Sequence, residues 1–243
     1  MFLDKLLATT TGLYLALLCN ISTTFAQPPS VEKMKSALQG RMDVSQIKGV
    51  AMTPLSGLYE VNIGSEIIYT DANARYIIQG HLLDLDKGAN LTEMRLAELN
   101  RVNFSDFPLG QTIVSKRGAG KRQLVIFADP NCGYCKRLEK DLQSVGDLTV
   151  YTFLLPILSA DSNNKSRQIW CSADRNKVWQ NWVLQNTQPT GNGQCKTPIE
   201  SNLALAQKLG VKATPTLFFT DGSRVPGALP GDAIERKLNE IYK

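Results

Sequence analysis

Two cysteines three residues apart are the part of this 243-residue sequence best suited to chemistry. Cys132 and Cys135 enclose Gly133 and Tyr134 in a Cys-Gly-Tyr-Cys motif. An apolar run at residues 124–127 precedes the motif, and a charged stretch with two leucines four residues apart follows it. This order predicts a strand, a tight turn and a helix whose first turn carries both thiols. Cysteines at this spacing lie on one side of the helix, close enough to form a disulfide.

The position of Cys132 favours a redox role for the pair. A thiol at a helix N-terminus faces unpaired N–H groups and the positive end of the helix dipole, which stabilise a thiolate. The alternatives are a structural disulfide and half of a zinc site. Zinc would need two more soft ligands, but the sequence has one histidine, His81, and no second CxxC motif. We therefore expect no metal and no cofactor, and interpret His81 as a polar turn residue.

Residues 1–26 predict a cleavable signal peptide. Lys5 precedes an apolar stretch at residues 6–18. The segment Thr24-Phe25-Ala26 ends in a small residue, which is typical of a signal-peptide cleavage site. The apolar stretch is too short for a stable membrane anchor, although an uncleaved anchor is the alternative. The net charge is +5 and the basic residues are scattered, so nucleic-acid binding is not predicted.

Four cysteines follow the predicted cleavage site, an even number that fits two disulfides in an exported protein. Three pairings are possible. Since Cys132 and Cys135 form a local pair, Cys171 and Cys195 remain for a second bridge, which we interpret as structural. A second redox pair is the alternative, but neither cysteine sits in a predicted strand-to-helix turn.

Residues 27–88 predict a small α+β domain. Ser30 is a candidate N-cap of a helix, and residues 44–52 have an ambiguous pattern. Three strands are predicted beyond it, at residues 58–63, 66–70 and 75–79. A unit of about 60 residues is marginally stable alone and leaves sheet edges open, so we expect it to form a homodimer.

Residues 89–109 predict a linker helix, and residues 110–243 an α/β catalytic domain. Asn90 and Glu93 have the spacing of a capping box for a helix over residues 91–102. In the catalytic domain we expect a parallel strand at 148–155, helical structure at 161–185, a hairpin after Thr214-Pro215, and a C-terminal helix. Asp232 and Glu235 predict the cap of that last helix. The helical stretch carries three tryptophans, interpreted as core residues rather than as a substrate-binding patch.

This order of elements resembles the thioredoxin fold, and more closely the bacterial periplasmic disulfide isomerase family DsbC/DsbG. The resemblance rests on the segments Phe127-Ala128-Asp129, Cys132-Gly133-Tyr134-Cys135, Ile169-Trp170-Cys171, Thr214-Pro215 and Val225-Pro226-Gly227, with the second cysteine at Cys195. The Gly-Tyr dipeptide is typical of the DsbC branch. Residues 76–80 with the linker also look like that family's dimerisation domain.

The resemblance implies roles for these residues. Cys132 would be the exposed nucleophile, Cys135 the resolving thiol, Pro215 a cis-proline, and Thr214 the residue whose backbone pairs with substrate. Cys171–Cys195 would be the structural disulfide. Thioredoxin carries a buried aspartate six residues before its first cysteine, where this sequence has Ile126. A carboxylate proton shuttle from that position is therefore not expected, and Asp129 is interpreted as a turn residue.

We therefore expect a periplasmic thiol:disulfide interchange protein that isomerises or reduces incorrect disulfides in exported proteins. Such a protein must be kept reduced, and by resemblance its electron donor is a membrane thiol reductase of the DsbD type. Two alternatives remain: a dedicated reductase or oxidase for a specific set of clients, and a chaperone-like binding module with secondary redox activity.

Overall fold

The computed structural model describes residues 29–64 and 66–243. The predicted signal peptide, residues 1–26, lies outside the described residues. No helix within the described ranges has the length and apolar character needed to cross a membrane. Two larger sheets organise these ranges, one of four strands near the N-terminus and one of five strands toward the C-terminus.

The N-terminal sheet is an antiparallel meander in the order β1-β2-β3-β4. Its strands are β1 (Gly49–Met52), β2 (Tyr59–Asn62), β3 (Ile67–Thr70) and β4 (Ile77–Gln79). Helix α1 (Val31–Leu38) starts at the predicted N-cap, where Ser30 Oγ accepts from the backbone N–H of Lys33 at 3.1 Å. The three predicted strands are confirmed, and β1 arises from the segment with an ambiguous pattern.

A short ladder and a helix follow this sheet: β5 (Leu83–Asp84), β6 (Ala89–Asn90) and α2 (Leu91–Leu99). Asn90 caps α2 as predicted, because its Oδ1 accepts from a backbone N–H three residues on. The prediction that the helix continues to residue 102 is wrong. Asn100 Nδ2 turns back onto the carbonyl of Leu96 at 2.8 Å. The N–H of Val102 then donates to the Gly222 carbonyl in the last hairpin.

The C-terminal sheet has the order β11-β10-β8-β9-β7. Its strands are β7 (Ile113–Arg117), β8 (Arg122–Ala128), β9 (Leu148–Leu154), β10 (Thr216–Phe219) and β11 (Arg224–Pro226). Its helices are α3 (Gly133–Asp141), α4 (Ala160–Trp170), α5 (Arg175–Gln185), α6 (Ile199–Lys208) and α7 (Gly231–Ile241). Strands β8 and β9 are parallel, as predicted, and the other pairs are antiparallel.

Strand β8 is central and is buried on both faces, which is why its sequence is continuously apolar. Leu124 and Ile126 pack into the cluster that includes residues of α3, α5 and α7. Val125 and Phe127 point to the opposite face, where Phe127 stacks on Phe153 with ring centroids 4.8 Å apart. The strand that leads into the cysteine motif is thereby fixed from both sides.

The helical structure predicted at residues 161–185 is confirmed and consists of two helices, α4 and α5. Helix α4 ends at Cys171, which caps it, and Ser172 Oγ donates back to the carbonyl of Ile169. Asp174 then caps α5 by accepting from the backbone N–H of Lys177 at 2.9 Å. The polar side chains between the two helices satisfy backbone groups that a continuous helix would have paired.

The capping box predicted for the C-terminal helix is also wrong. Helix α7 starts at Gly231 after Pro230, so Asp232 lies inside its first turn. Asp232 accepts from Arg236 at 2.6 Å, and Glu235 accepts from Arg122 on β8. A Cβ at Gly231 would lie 2.6 Å from the carbonyl oxygen of Asp141. This close approach requires glycine at the helix start.

Candidate active site

The two cysteines lie where β8 ends and α3 begins. The backbone N–H of Cys132 donates to the Asp129 carbonyl at 3.1 Å, which closes the turn, and Cys132 is the N-cap residue of α3. Cys135 lies one turn into the helix, on its buried face. Both are free thiols. The expectation that Cys132 is exposed is wrong in degree, because 6 % of its surface is accessible, against 1 % for Cys135.

The surroundings of Cys132 stabilise its thiolate and lower the pKa of the thiol to about 5. The hydrogen bond from the Cys135 side chain is the largest cause. Thr214 and the backbone N–H groups of Cys135 and Tyr134 act in the same direction, while partial burial acts against them. A sulfur at an N-cap faces the unpaired amides of the first turn. At neutral pH Cys132 is therefore mainly thiolate.

Cys135 has the opposite electrostatics. Burial raises the pKa of its thiol far above the ordinary value, and the neighbouring Cys132 sulfur adds to this effect. Cys135 therefore keeps its proton and donates it as a hydrogen bond to the Cys132 thiolate. The two sulfurs therefore differ in protonation, because Cys132 favours the thiolate and Cys135 favours the thiol.

The Thr214-Pro215 segment reaches the cysteines from a distant part of the chain. The peptide bond between the two residues is cis. The Sγ of Cys132, as a thiol, donates to the Thr214 carbonyl at 3.2 Å. Strand β10 begins directly after Pro215, whose carbonyl accepts from the Gly227 N–H at 2.8 Å.

A groove of about 270 Å³ runs beside these residues. Its walls come from one side of α3 along its whole length, the cis-proline segment and the chain before α7. They are formed by Tyr134, Arg137, Asp141, Thr214, Pro215 and residues 227–230. Tyr134 is 67 % exposed, and a Cβ at Gly133 would meet no atom within 4 Å. The Gly-Tyr dipeptide thus presents an open face on which a polypeptide can lie.

Cys171 and Cys195 are bonded to each other, with their Cα atoms 5.7 Å apart. Cys171 caps the C-terminal end of α4, and Cys195 lies in the loop before α6. The indole N–H of Trp170 donates to the carbonyl of Lys196 in the same loop at 3.3 Å. The bridge therefore joins a helix end to a loop and has no part in the Cys132 site.

Ile126 occupies the position at which thioredoxin carries its buried aspartate, so the sheet face beneath the cysteines is apolar there. Ile126 is 1 % exposed and belongs to the same cluster as Cys132 and Cys135. Asp129 is a turn residue, as interpreted, with its Oδ1 accepting from the Asn131 N–H at 2.8 Å. It is also fully buried, and its Oδ2 accepts from the Leu158 N–H, which ties the turn to the segment between β9 and α4.

Glu139 is a buried carboxyl that the sequence analysis missed. It lies one turn beyond Cys135 on α3, and burial raises its pKa. Its two oxygens accept from Trp179 Nε1 at 2.8 Å and from Gln180 Nε2 at 3.1 Å. The spacing from Cys135 and Leu138 places it on the apolar face of the helix, a signal present in the sequence. The tryptophans are core residues, as interpreted.

A five-stranded sheet of this order, with a CxxC motif at a helix N-terminus and a cis-proline beside it, defines a thiol–disulfide oxidoreductase of the thioredoxin fold. Two family models match the chain: "Thioredoxin-like domain" over residues 109–242, and "Disulfide bond isomerase protein N-terminal domain" over residues 24–93. The chain belongs to the DsbC family of thiol:disulfide interchange proteins.

Individual relatives agree with this assignment. The probable thiol:disulfide interchange protein DsbC of Bordetella parapertussis is 40 % identical over 213 residues, which is 88 % of this chain and 76 % of the relative. DsbC of Escherichia coli K12 is 28 % identical over 197 residues, which is 78 % of this chain and 80 % of the relative. A crystal structure of a disulfide interchange protein from Neisseria gonorrhoeae matches with a TM-score of 0.53 and 34 % identity, covering 55 % of this chain and 97 % of that one.

Proposed function

We propose that the protein isomerises incorrect disulfides in exported proteins, with Cys132 as the attacking thiolate and Cys135 as the resolving thiol. The observation that carries this proposal is the thiolate of pKa about 5 next to an open groove and a cis-proline edge. A thiol of low pKa is both ionised at neutral pH and a good leaving group, so its mixed disulfides are short-lived. Isomerisation needs both properties.

The reaction starts when the Cys132 thiolate attacks one sulfur of a mispaired client disulfide. A bond forms between Cys132 and that sulfur, the client bond breaks, and the other client sulfur leaves as a thiolate. A client thiolate then attacks the client sulfur of the mixed disulfide and releases Cys132 unchanged. No electrons are transferred overall. Thr214 and Pro215 hold the client backbone beside the sulfurs, while Gly133 and Tyr134 leave room for it.

Cys135 resolves the mixed disulfide when no client thiolate does so. It loses its proton to the departing client sulfur and attacks Cys132, which forms a Cys132–Cys135 disulfide and leaves the client with two thiols. Two electrons have then moved to the client. A membrane thiol reductase of the DsbD type would return them. This cycle belongs in the periplasm, which requires the signal peptide at residues 1–26 to export the chain.

The active protein is a homodimer in this proposal, joined through the domain at residues 27–88 and spaced by residues 89–109 from the catalytic domain at 110–243. The support is strand β4, an edge strand whose three residues are all exposed. Ile77 and Ile78 are 46 % and 54 % exposed. An open apolar edge is a template for pairing with a second copy.

The dimer is tested by Ile78→Lys, with Val114→Lys as a matched control. Val114 is 46 % exposed on β7, which is one of the two edge strands of the other sheet. Sedimentation at micromolar concentration should give a monomer for Ile78→Lys and a dimer for the control and the wild type. A dimer in all three places the interface elsewhere, and a monomeric wild type removes the dimer from the proposal.

The enzymatic role is tested by refolding a scrambled protein that has several disulfides. Wild type should restore its activity in a weakly reducing buffer, and Cys132→Ala should not. Full recovery with Cys132→Ala would make the protein a chaperone-like binding module. Thiol trapping in cells then decides the direction of electron flow. Mostly reduced Cys132 and Cys135 fit an isomerase or reductase, whereas a mostly oxidised pair would mean an oxidase.

A further inference from the structure

Trp182 on α5 is bonded directly to the turn that carries the cysteine motif. Its indole N–H donates to the carbonyl of Pro130, two residues before Cys132, at 2.6 Å. The side chain is buried, and the hydrogen bond is shielded from water. The other two tryptophans of α4 and α5 donate to different acceptors, Lys196 and Glu139. Only the Trp182 bond ends on the turn before Cys132.

The next residue of the turn is held by the neighbouring helix. Asn131 Nδ2 donates to Asp161 Oδ2 at 2.7 Å and to Ser162 Oγ at 3.2 Å, both in the first turn of α4. The two residues immediately before Cys132 are therefore each bonded to the pair of helices inserted between β9 and α6.

The residue after Cys135 contacts the same helices. Lys136 Nζ lies 3.7 Å from the centroid of the Trp182 ring and donates to Asn186 Oδ1 at 2.7 Å. Lys165 Nζ, paired with the Asp161 carboxylate, lies 4.8 Å from the same centroid. The charged groups around Trp182 are thus Lys136, Lys165 and Asp161. Cations over an aromatic ring are attracted to its π-system.

We propose that Trp182 is a positioning residue, which fastens the turn before Cys132 to the helical insertion and keeps the Cys132 sulfur at the amide groups of α3. This inference rests on the proposed role of Cys132 as the attacking thiolate. The geometry gives the reason. Charge-assisted hydrogen bonds weaken steeply with distance and angle, so the sulfur must stay in place. Pro130 and Asn131 are the residues through which a movement of the turn would reach it.

The test is Trp182→Phe, which keeps the ring and removes the indole N–H. Trp170→Phe is a matched control, because both tryptophans are 6 % exposed and both donate to a backbone carbonyl. Each ring also carries a cation, with Arg175 3.8 Å from the Trp170 ring centroid and Lys136 3.7 Å from that of Trp182. The two hydrogen bonds differ in their acceptor. Lys196 lies in the loop of the Cys171–Cys195 disulfide, whereas Pro130 lies in the turn before Cys132.

The measurement is the pKa of Cys132, from the pH dependence of iodoacetamide alkylation, together with the equilibrium of the dithiol with glutathione. For Trp182→Phe we expect the acidity of Cys132 to fall about tenfold, which is one pKa unit. A less stable thiolate makes the reduced form less stable. The glutathione equilibrium should therefore shift about tenfold toward the disulfide, or about 30 mV for a two-electron couple.

The control should lose stability without either redox change. Equal pKa shifts in both variants, or an unchanged pKa in Trp182→Phe, overturn the proposal. If Trp182→Phe does not fold, Asn131→Ala decides. It removes one of the two partners of Asp161, the other being Lys165, without changing any charge. Because it loosens the same turn from the helical insertion, it should raise the same pKa, and an unchanged pKa would overturn the proposal. Isomerase activity of the wild type is measured alongside. If the wild type has no isomerase activity, the proposed function is refuted. The role of Trp182 is decided separately, by the comparison of the Cys132 pKa in the two variants.

Discussion

The low pKa of Cys132 makes the stability of the reduced protein depend on pH in a predictable direction. The folded-state pKa is about 5, against an ordinary value of 9.0. For an acid whose pKa is lowered by folding, the unfolded state binds more protons between these two values. The thiolate therefore stabilises the fold at neutral pH, and this contribution is lost as the pH falls through 5.

The size of this stabilisation at pH 7 follows from the two pH units that lie between the folded-state pKa of about 5 and pH 7. Each unit is worth about 1.36 kcal/mol, so the full effect between pH 7 and pH 4 is about 2.7 kcal/mol. Solvent reaches part of the site and screens the interaction, so we expect a measured value between about 1 and 2.7 kcal/mol.

The assay is urea unfolding of the reduced wild type and of Cys132→Ala, each at pH 7 and pH 4. Tryptophan fluorescence follows the catalytic domain alone, because all three tryptophans lie in α4 and α5. Other titrating groups contribute equally to both proteins and cancel in the difference. The free energy of unfolding of the wild type should exceed that of the variant by more at pH 7 than at pH 4. A difference that changes by less than about 0.5 kcal/mol would refute the thiolate argument.

Three further predictions concern residues around the site. Cys135→Ala should raise the pKa of Cys132, because it removes the hydrogen bond that lowers this pKa most; the pH profile of alkylation measures it, and a value still near 5 contradicts it. Burial raises the pKa of Glu139, so the folded state holds its proton longer than the unfolded chain, and this residue's contribution to stability falls as the pH rises above about 4.5. Wild type should accordingly lose stability relative to Glu139→Gln between pH 5 and pH 8 in urea unfolding, whereas a constant difference would mean that Glu139 is not shifted. Replacing Cys171 and Cys195 together by serine should cost about 3 kcal/mol of stability, yet leave the alkylation rate of Cys132 unchanged.

Local sequence patterns determined the reactive half of the site. The apolar run before Cys132 and the i, i+3 spacing of the cysteines involve neighbours along the chain, so strand, turn and helix could be predicted from short windows. The parallel pairing of β8 with β9 followed from the length of the crossover. The N-cap roles of Ser30 and Asn90 were also local, since each side chain bonds a backbone N–H three residues on.

Predictions failed where a distant partner competed for a side chain. Asp232 and Glu235 have the spacing of a capping box, but α7 starts before Asp232, and Glu235 binds Arg122 on β8, 113 positions away. The helix over residues 91–102 stops early because Val102 pairs with the last hairpin. A sequence window holds no information on which of these bonds is formed, because the competing groups come together only after the sheet has assembled.

The sequence alone thus fixed the type of chemistry, a dithiol at a helix N-terminus that follows a buried strand. Only the tertiary structure decided what surrounds it. It brought the carbonyl of Thr214, 82 positions away, to 3.2 Å from the Cys132 sulfur, and it bonded Trp182 to the turn beside it. The physical reason is the separation along the chain of the groups that interact. Helix and strand periodicity describe contacts within a few residues, whereas burial, donor geometry and the thiolate pKa depend on groups that the fold gathers from the whole domain.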